Sequence, residues 1–497
     1  MKKILLLLAL ASIALYSCRK ETPIAGSGVE LRFSTDTVFL DTVFRSVGSS
    51  TYNLKVFNPT DESVIIDDIR LGRNQSSKYR INVDGQPGNN HKGVEILPKD
   101  SIYIFIEVTL TELGSFPGLL YTDSILFNNK GTEQNVKLVT LARDAYFHYP
   151  TDFLVISDVV IPYSMVTNNP PLLWDKPHVF YGYGIIDEAI DIPTGAELYF
   201  HNNSGLLVLE DGQLTVGQTM GAGDSVTFTG DRLEPFYEDV PGQWGGVLGG
   251  IYFAQGSTGN RINNTVIKNA TTAIRLDSVG DLDDQLTISN SYILNSSRVG
   301  IYGGYGNVIG LNTVVANSGL HLLYAFGGNY EFIHCTFANF WNQATRNTAG
   351  VTLTNYLDIQ NEDNSTTRIV RDLNSASFGN CMVVGNNRQE LAILKDNQGM
   401  LNYEFRSAIL DVDESVSPAD RSFDWNDDQF FKNKILINAD PDFVNTDRNQ
   451  YRLDSLSQAV NQGNVFDGSD VRLNAQDIRG NSRSNGIPDL GAFERTY

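Results

Sequence analysis

Two hydrophobic rhythms divide this chain. Between residues 29 and 146 apolar and polar residues alternate in short runs, at 29–33, 52–57, 63–71, 101–108, 123–127 and 135–141. Alternation with a period of two is what a half-buried strand requires, because successive side chains point to opposite faces. Asn58-Pro59-Thr60-Asp61 and Asp84-Gly85 separate the runs with turn residues. Short strands spaced in this way predict a β-sandwich over 29–146. Further along, the rhythm becomes a recurring hexapeptide, Asn-Ser/Thr-x-aliphatic-x-Asn. Copies start at Asn264, Asn290 and Asn312, with degenerate ones at His334, Asn380 and Arg406, so the spacings are 26, 22, 22, 46 and 26 residues.

The copies predict their own geometry. The second residue is small in every one (Thr265, Ser291, Thr313, Cys335, Cys381, Ser407), and the fourth is apolar (Ile267, Ile293, Val315, Phe337, Val383, Ile409). Positions two apart on a strand share a face, so this pair points inward. The third and fifth positions are mixed, as Tyr292, Lys268 and Met382 show. The final Asn of the early copies falls at a strand end. There its amide can satisfy a bend and tolerate a left-handed backbone, and stacked copies should form a hydrogen-bonded ladder. Repeats of this period predict a β-solenoid with one coil per copy. The 46-residue gap is either two coils or one coil with a long excursion, for which the polar stretch 360–377 is suited.

The repeats resemble right-handed parallel β-helix proteins, and three other stretches strengthen the likeness. Residues 196–216 resemble opening coils, 243–253 (QWGGVLGGIYF) resemble a Trp-Gly-Gly-containing coil common in such proteins, and 440–463 with 477–494 resemble the closing segment of secreted bacterial members. The resemblance covers about residues 150–497 and implies a fold: all-β, an N-terminal sandwich followed by a right-handed parallel β-helix over 196–497. It implies no single activity, because this fold carries lyases, hydrolases, adhesins and spacers. The 29–146 segment resembles immunoglobulin-like domains of the major-sperm-protein type, with Asn58 opening a hairpin. It has no cysteine pair and no central Trp of the antibody kind. Residues 147–195, rich in proline, are expected to connect the domains and cap the first coil, since an uncovered solenoid end is an open sheet edge.

The amino terminus predicts an address. Lys2 and Lys3, an apolar run over 4–15 and small residues before Cys18 form a short signal-peptide pattern, too brief for a lasting membrane span. Leu15-Tyr16-Ser17-Cys18 resembles a bacterial lipobox. That implies removal of 1–17, lipidation of Cys18, a linker over 18–28 and outer-membrane anchoring. Arg19-Lys20-Glu21 partly matches the surface-export signal of Bacteroidetes-type lipoproteins, which implies display at the cell surface. The chain has 37 basic and 58 acidic residues, a balance of −21. Such charge argues against nucleic acid as a partner. Apart from Cys18 the cysteines are Cys335 and Cys381, both at the small inward position, where they are expected as buried thiols. Their spacing leaves a disulfide open.

Candidate chemistry is sparse. Six histidines are scattered without metal-ligand spacing. Asp277, Asp281, Asp283 and Asp284, near Arg275 and Arg298, form the nearest acidic cluster. It reads either as a solvated loop or as a calcium site of hard carboxylate ligands. Asp413-Glu414 and 424–428 are weaker versions. Trp244, Tyr252, Tyr302 and Tyr305, with Tyr324 and Tyr330, fall on or beside coil strands. They either fill the coil or present a platform for sugars, while Phe236-Tyr237 are expected to cover a coil. Asp-Ser/Thr-aliphatic recurs at Thr37, Thr42, Ser101, Ser124, Ser225, Ser278 and Ser455. The pattern resembles the O-glycosylation acceptor of Bacteroidetes exported proteins, and it is also how strands start after turns. The reading that follows is a non-enzymatic outer-membrane lipoprotein presenting a solenoid to a glycan or to a membrane-protein partner. The alternatives are a polysaccharide lyase or other glycan-degrading enzyme, and an accessory subunit of an outer-membrane β-barrel.

Overall fold

The computed structural model describes residues 23–26, 28–111, 120–156, 159–217, 225–278, 284–361, 363–465, 476–483 and 486–495. Cys18 and the segments before it lie outside these, as do Asp281 and Asp283. Among the described residues no helix is long and apolar enough to cross a membrane. The chain divides into two compact units, one up to Asp144 with 233–235 and the other from Ala145 onward.

The first unit is a β-sandwich. One sheet pairs Tyr52–Phe57 with Ser101–Val108 and then Tyr79–Val83; the other runs Thr37–Phe44, Thr132–Arg143, Leu120–Asn129, Val64–Leu71, Asn90–Ile96. The inward alternates, among them Leu54, Val56, Ile66, Ile69, Ile104, Ile106 and Phe127, make its core. Three of these strands escape the sequence pattern. Thr37–Phe44 is broken by Asp41, which takes a left-handed φ of 49° where the register to Thr132–Arg143 slips. Asn90–Ile96 is an edge strand, polar and carrying a left-handed Gly93. Tyr79–Val83 alternates cleanly but is short. Asn58 is buried and ties its turn from inside. Its amide donates to the Glu62, Ile96 and Leu97 carbonyls while its oxygen accepts from Thr60.

The second unit is a parallel β-helix whose coils each carry up to three strands. The first face includes Asn260–Asn263, Leu286–Ser289, Asn307–Leu311 and Gly328–Ile333; the second Thr265–Lys268, Tyr292–Ser296, Val314–Ser318 and Thr336–Asn339; the third Thr272–Asp277, Val299–Gly304, His321–Phe326 and Val351–Thr354. Stacking starts earlier than residue 196. His178–Phe180 and Tyr183–Ile186 already pair in parallel with Glu197–Phe200 and Gly205–Val208. The cap lies before them, where Asp152–Ile156 turns antiparallel onto Val159–Met165 and breaks the parallel edge. The 46-residue gap is one coil, because Thr336 stands opposite Met382 on adjacent strands. Its excursions are the loop 340–350 and a hairpin of Tyr356–Gln360 with Thr366–Val370, while Ser375–Ser377 are back in the first face.

The hexapeptide explains the corner between the first two faces. Its first residue is left-handed in Asn264, Asn290, Asn312, His334 and Asn380, with φ between 44° and 53°. The small second residue then points inward and donates to the carbonyl two positions back. Thr265 reaches Asn263, Ser291 reaches Ser289 and Thr313 reaches Leu311, and the thiols of Cys335 and Cys381 do the same to Ile333 and Gly379. Both cysteines are buried free thiols stacked on neighbouring coils. The amide ladder forms at the first position rather than the last. Asn312 donates to Asn290, Asn290 to Asn263, and Asn380 bonds His334. Of the final amides, Asn269 donates to the Glu238 carbonyl and Asn317 to Asn449, while the buried Asn339 bonds the Ser318 backbone of the neighbouring coil. The sixth copy is shifted by one residue. Ser407 is its left-handed position, Ala408 pairs with Cys381 and Leu410 with Val383, which turns Ile409 outward.

Outward residues of the second face are not exposed to solvent. Leu294, Val314, Ala316, Ala338, Met382, Val384 and Ile409 pack under Tyr451, Leu453, Ala459, Leu490, Ala492 and Phe493. The closing segment is therefore a strap along the coils rather than a further coil. Polar residues hold its shape. Asp477 accepts from the Arg479, Asn481 and Glu494 backbones, Asp489 from Asn461 and Arg495, and the buried Arg483 pairs with Glu494 at 3.0 Å. Gly491, with φ 83°, lets the strap touch down, since a Cβ there would fall 2.3 Å from Met382 Cε.

Candidate functional site

The strap covers the second face, and the third face, which holds none of its contacts among the described residues, gathers a column of polar aromatic residues. Register places Tyr252, Arg275, Tyr302, Tyr324 and Thr352 opposite one another on successive coils, forming one outward column. The Tyr302 and Tyr324 rings lie parallel with centroids 5.6 Å apart. Each ring shields the other, so both are half-buried, and burial lifts the Tyr324 hydroxyl to about 12. At one end the Arg275 guanidinium sits 4.5 Å over the Tyr252 ring and 3.6 Å from Asp277, which also accepts the Tyr252 hydroxyl. Gly304, two residues after Tyr302, stands opposite Asp277, and a Cβ there would fall 3.4 Å from the Tyr302 ring.

Two elements flank this floor. The Tyr356–Val370 hairpin brings Tyr356 and Asp358 near Tyr324, and both help raise its hydroxyl. Arg368 lies 4.0 Å over the Tyr356 ring, grips Asp358 with two bonds of 2.7 Å and reaches Asp396 at 3.1 Å. On the other side His321 is 5.1 Å from the Tyr324 ring. Its Nδ1 donates to the Ala349 carbonyl at 2.9 Å, which leaves Nε2 as an acceptor. Burial, with the nearby Arg346 cation, holds the His321 pKa below its ordinary value, so the ring is neutral at pH 7.

The remaining sequence candidates separate from this floor. Trp244 is core: it is fully buried, stacks 4.4 Å from Phe200 and donates to the Lys268 carbonyl. Tyr330 is interior as well. Tyr305 turns the corner after the third face with a left-handed φ of 64°. Phe236, expected to cover a coil, is exposed. Of the acidic cluster, Asp277 is engaged with Arg275 and Tyr252, Asp284 is exposed, and Asp281 and Asp283 fall outside the described residues. Among the described residues no group of three metal-ligating side chains converges. Asp413, Asp424 and Asp427 each cap their own turn.

The Asp-Ser/Thr motifs are at least partly exposed at all seven positions. Thr37 and Ser101 open strands, whereas Thr42 and Ser124 lie within them. At Ser101, Ser124 and Ser455 the preceding aspartate accepts the serine's own N–H.

Sequence reasoning missed one cluster altogether. Arg346, on the loop 340–350, and Glu390 form a buried ion pair, and Glu390 also accepts from the Gly350 and Asn387 backbones. The pair joins excursions of neighbouring coils, and no spacing in the sequence links the two residues.

No protein-family model matches this chain, and no curated protein does. Among solved structures, pectate lyase Pel9A aligns over 71% of this chain and 96% of its own at 15% identity and a TM-score of 0.28. The catalytic domain of a GH87 alpha-1,3-glucanase in complex with nigerose aligns over 73% and 82% at 9% identity and a TM-score of 0.20. A protein of unknown function from Porphyromonas gingivalis aligns over 33% of this chain and 58% of its own at 12% identity and a TM-score of 0.18, so the chain spans less than two thirds of that structure. Likenesses at these TM-scores carry no functional argument. The parallel β-helix stands on the strand pairing itself.

Proposed function

We propose that this protein is a glycan-binding solenoid, held at the outer membrane by lipid on Cys18 and facing outward. The observation that carries the reading is the open third face, where Tyr252, Arg275, Tyr302 and Tyr324 form an unbroken column on a rigid sheet. A sugar chain laid along it would meet ring edges, hydroxyls and the Arg275–Asp277 pair, and the hairpin would form one wall. Rigid aromatic side chains lose little entropy on binding, and polar groups beside them fix orientation. The net charge of −21 favours a neutral polysaccharide over a polyanion. The signal-peptide pattern and lipobox at Leu15–Cys18 support the address.

Retention of the full chain on a panel of immobilised polysaccharides tests this. The double variant Tyr302→Ala, Tyr324→Ala should lose at least about tenfold in affinity for the retained polymer, since two half-buried aromatic contacts are each worth roughly 1 kcal/mol or more. Equal retention of the variant contradicts the reading. A second reading, glycan cleavage, is favoured by His321, whose Nε2 is a fixed acceptor beside Tyr324. Shortening of the bound polymer, abolished in His321→Ala, would move the protein from binder to enzyme.

A further inference from the structure

A cleft of about 80 Å³ opens away from the third-face column, where the corner after the second face meets the loop 340–350 and the strap. A cavity needs roughly 10–15 Å³ of this kind of space to hold one water, so this one takes several. Its walls come from four regions, one of them the stretch with Asp239 and Pro241. Asn295 and Asn317 are the last residues of two hexapeptides, Phe340 and Trp341 open the loop, and Asp447 and Asn449 belong to the strap. Asn295, Asn317 and Asn449 all hold a left-handed φ of 55°. Their amides tie the segments together. Asn317 donates to Asn449 Oδ1 at 2.9 Å and accepts from the Phe340 N–H at 3.1 Å, and Asn295 donates to Asp239 at 3.1 Å.

The result is a preformed site with an aromatic wall and a polar rim. Trp341 is half-buried, and the Asp447 carboxylate has no hydrogen-bond or ion-pair partner among the described residues. Asp239 has Lys268 3.9 Å away as its ion-pair partner among the described residues. A flat apolar face next to carboxylate and amide acceptors suits a pyranose, with C–H groups on one side and vicinal hydroxyls at its edge. Two carboxylates repel an acidic sugar. Among the described residues no group of three His, Cys, Asp or Glu side chains converges here.

We propose that this cleft binds a single neutral hexose unit, a chain end or branch, with its apolar face on Trp341 and its hydroxyls donating to Asp447 and Asp239. The inference deepens the glycan reading but uses none of the third-face residues. The full chain in mild detergent is titrated with methyl hexopyranosides of gluco, galacto and manno configuration, with methyl glucuronoside as the acidic probe. Saturation-transfer NMR is read together with the part of the Trp emission change that Trp341→Ala removes, since Trp174 and Trp425 are half-buried as well and Trp244 is fully buried.

At least one neutral hexoside should bind saturably in the millimolar range, and the glucuronoside at least tenfold more weakly. Trp341→Ala should remove the binding. Asp447→Asn, an exposed change that leaves the fold alone, should weaken the neutral sugar several-fold and narrow the gap to the acidic one. Tyr302→Ala with Tyr324→Ala should lose polysaccharide retention but keep hexoside binding, so the two sites fail separately. No saturable binding of any hexoside, binding unchanged in both Trp341→Ala and Asp447→Asn, or a glucuronoside bound as tightly as the neutral probes overturns the proposal.

Discussion

At the residue scale, the sequence was legible wherever one backbone requirement repeats. A left-handed corner on every coil selects Asn, and the inward carbonyl it leaves selects a hydroxyl or thiol one position on, which is why the hexapeptide could be seen at all. Legibility stopped at Arg406, where one slipped residue moved the left-handed position to Ser407 while the letters still fitted. Trp244 misled because an aromatic beside glycines looks the same in sequence whether it lies inside or outside the coil. Asp411, at the end of that sixth copy, is half-buried and accepts the Gly385 N–H, and burial lifts its carboxyl to about 6. A carboxyl raised in the folded state gives stability that is present below its unfolded value of about 3.9 and lost as pH rises through the folded one. Asp411→Asn should therefore gain on the wild type between about pH 4 and 6, by up to roughly 2–3 kcal/mol, and by no more above that window. Thermal midpoints of the solenoid transition across pH check this; parallel curves for the two proteins contradict it.

At the element scale, the faces of one strand answer to different partners. The inward face of the second sheet obeys the repeat, but its outward face is apolar because the strap lies on it. The mixed third and fifth positions of the hexapeptide carried that information without a partner to explain it. The strap's partners lie between about 40 and 200 residues away, and no periodicity spans those distances. Deleting the chain from Asp440 onward should uncover a stripe over several coils, from Leu294 to Ile409. Contiguous apolar patches of more than a few hundred Å² drive association. The truncated protein should keep its β-sheet circular dichroism, bind an apolar dye and self-associate in size-exclusion chromatography. A monodisperse monomer that ignores the dye contradicts the strap's assigned role.

At the scale of the whole molecule, the order sandwich then solenoid was readable because the two periodicities differ, and the boundary was late only because the first coils carry no hexapeptide. The open third face was partly readable. Tyr252, Tyr302 and Tyr324 were among the candidate aromatics, but their alignment depends on coil register, which lengths alone do not set when coils carry excursions. Arg275 gained its place for the same reason. The account's central claim is that this face is where a glycan lies. Hydrogen exchange of the full chain, with and without the best-retained oligosaccharide, tests it most directly. The account predicts new protection in Thr272–Asp277, Val299–Gly304, His321–Phe326 and the Tyr356–Val370 hairpin. Protection confined to the sandwich, or none at saturating sugar, would contradict it.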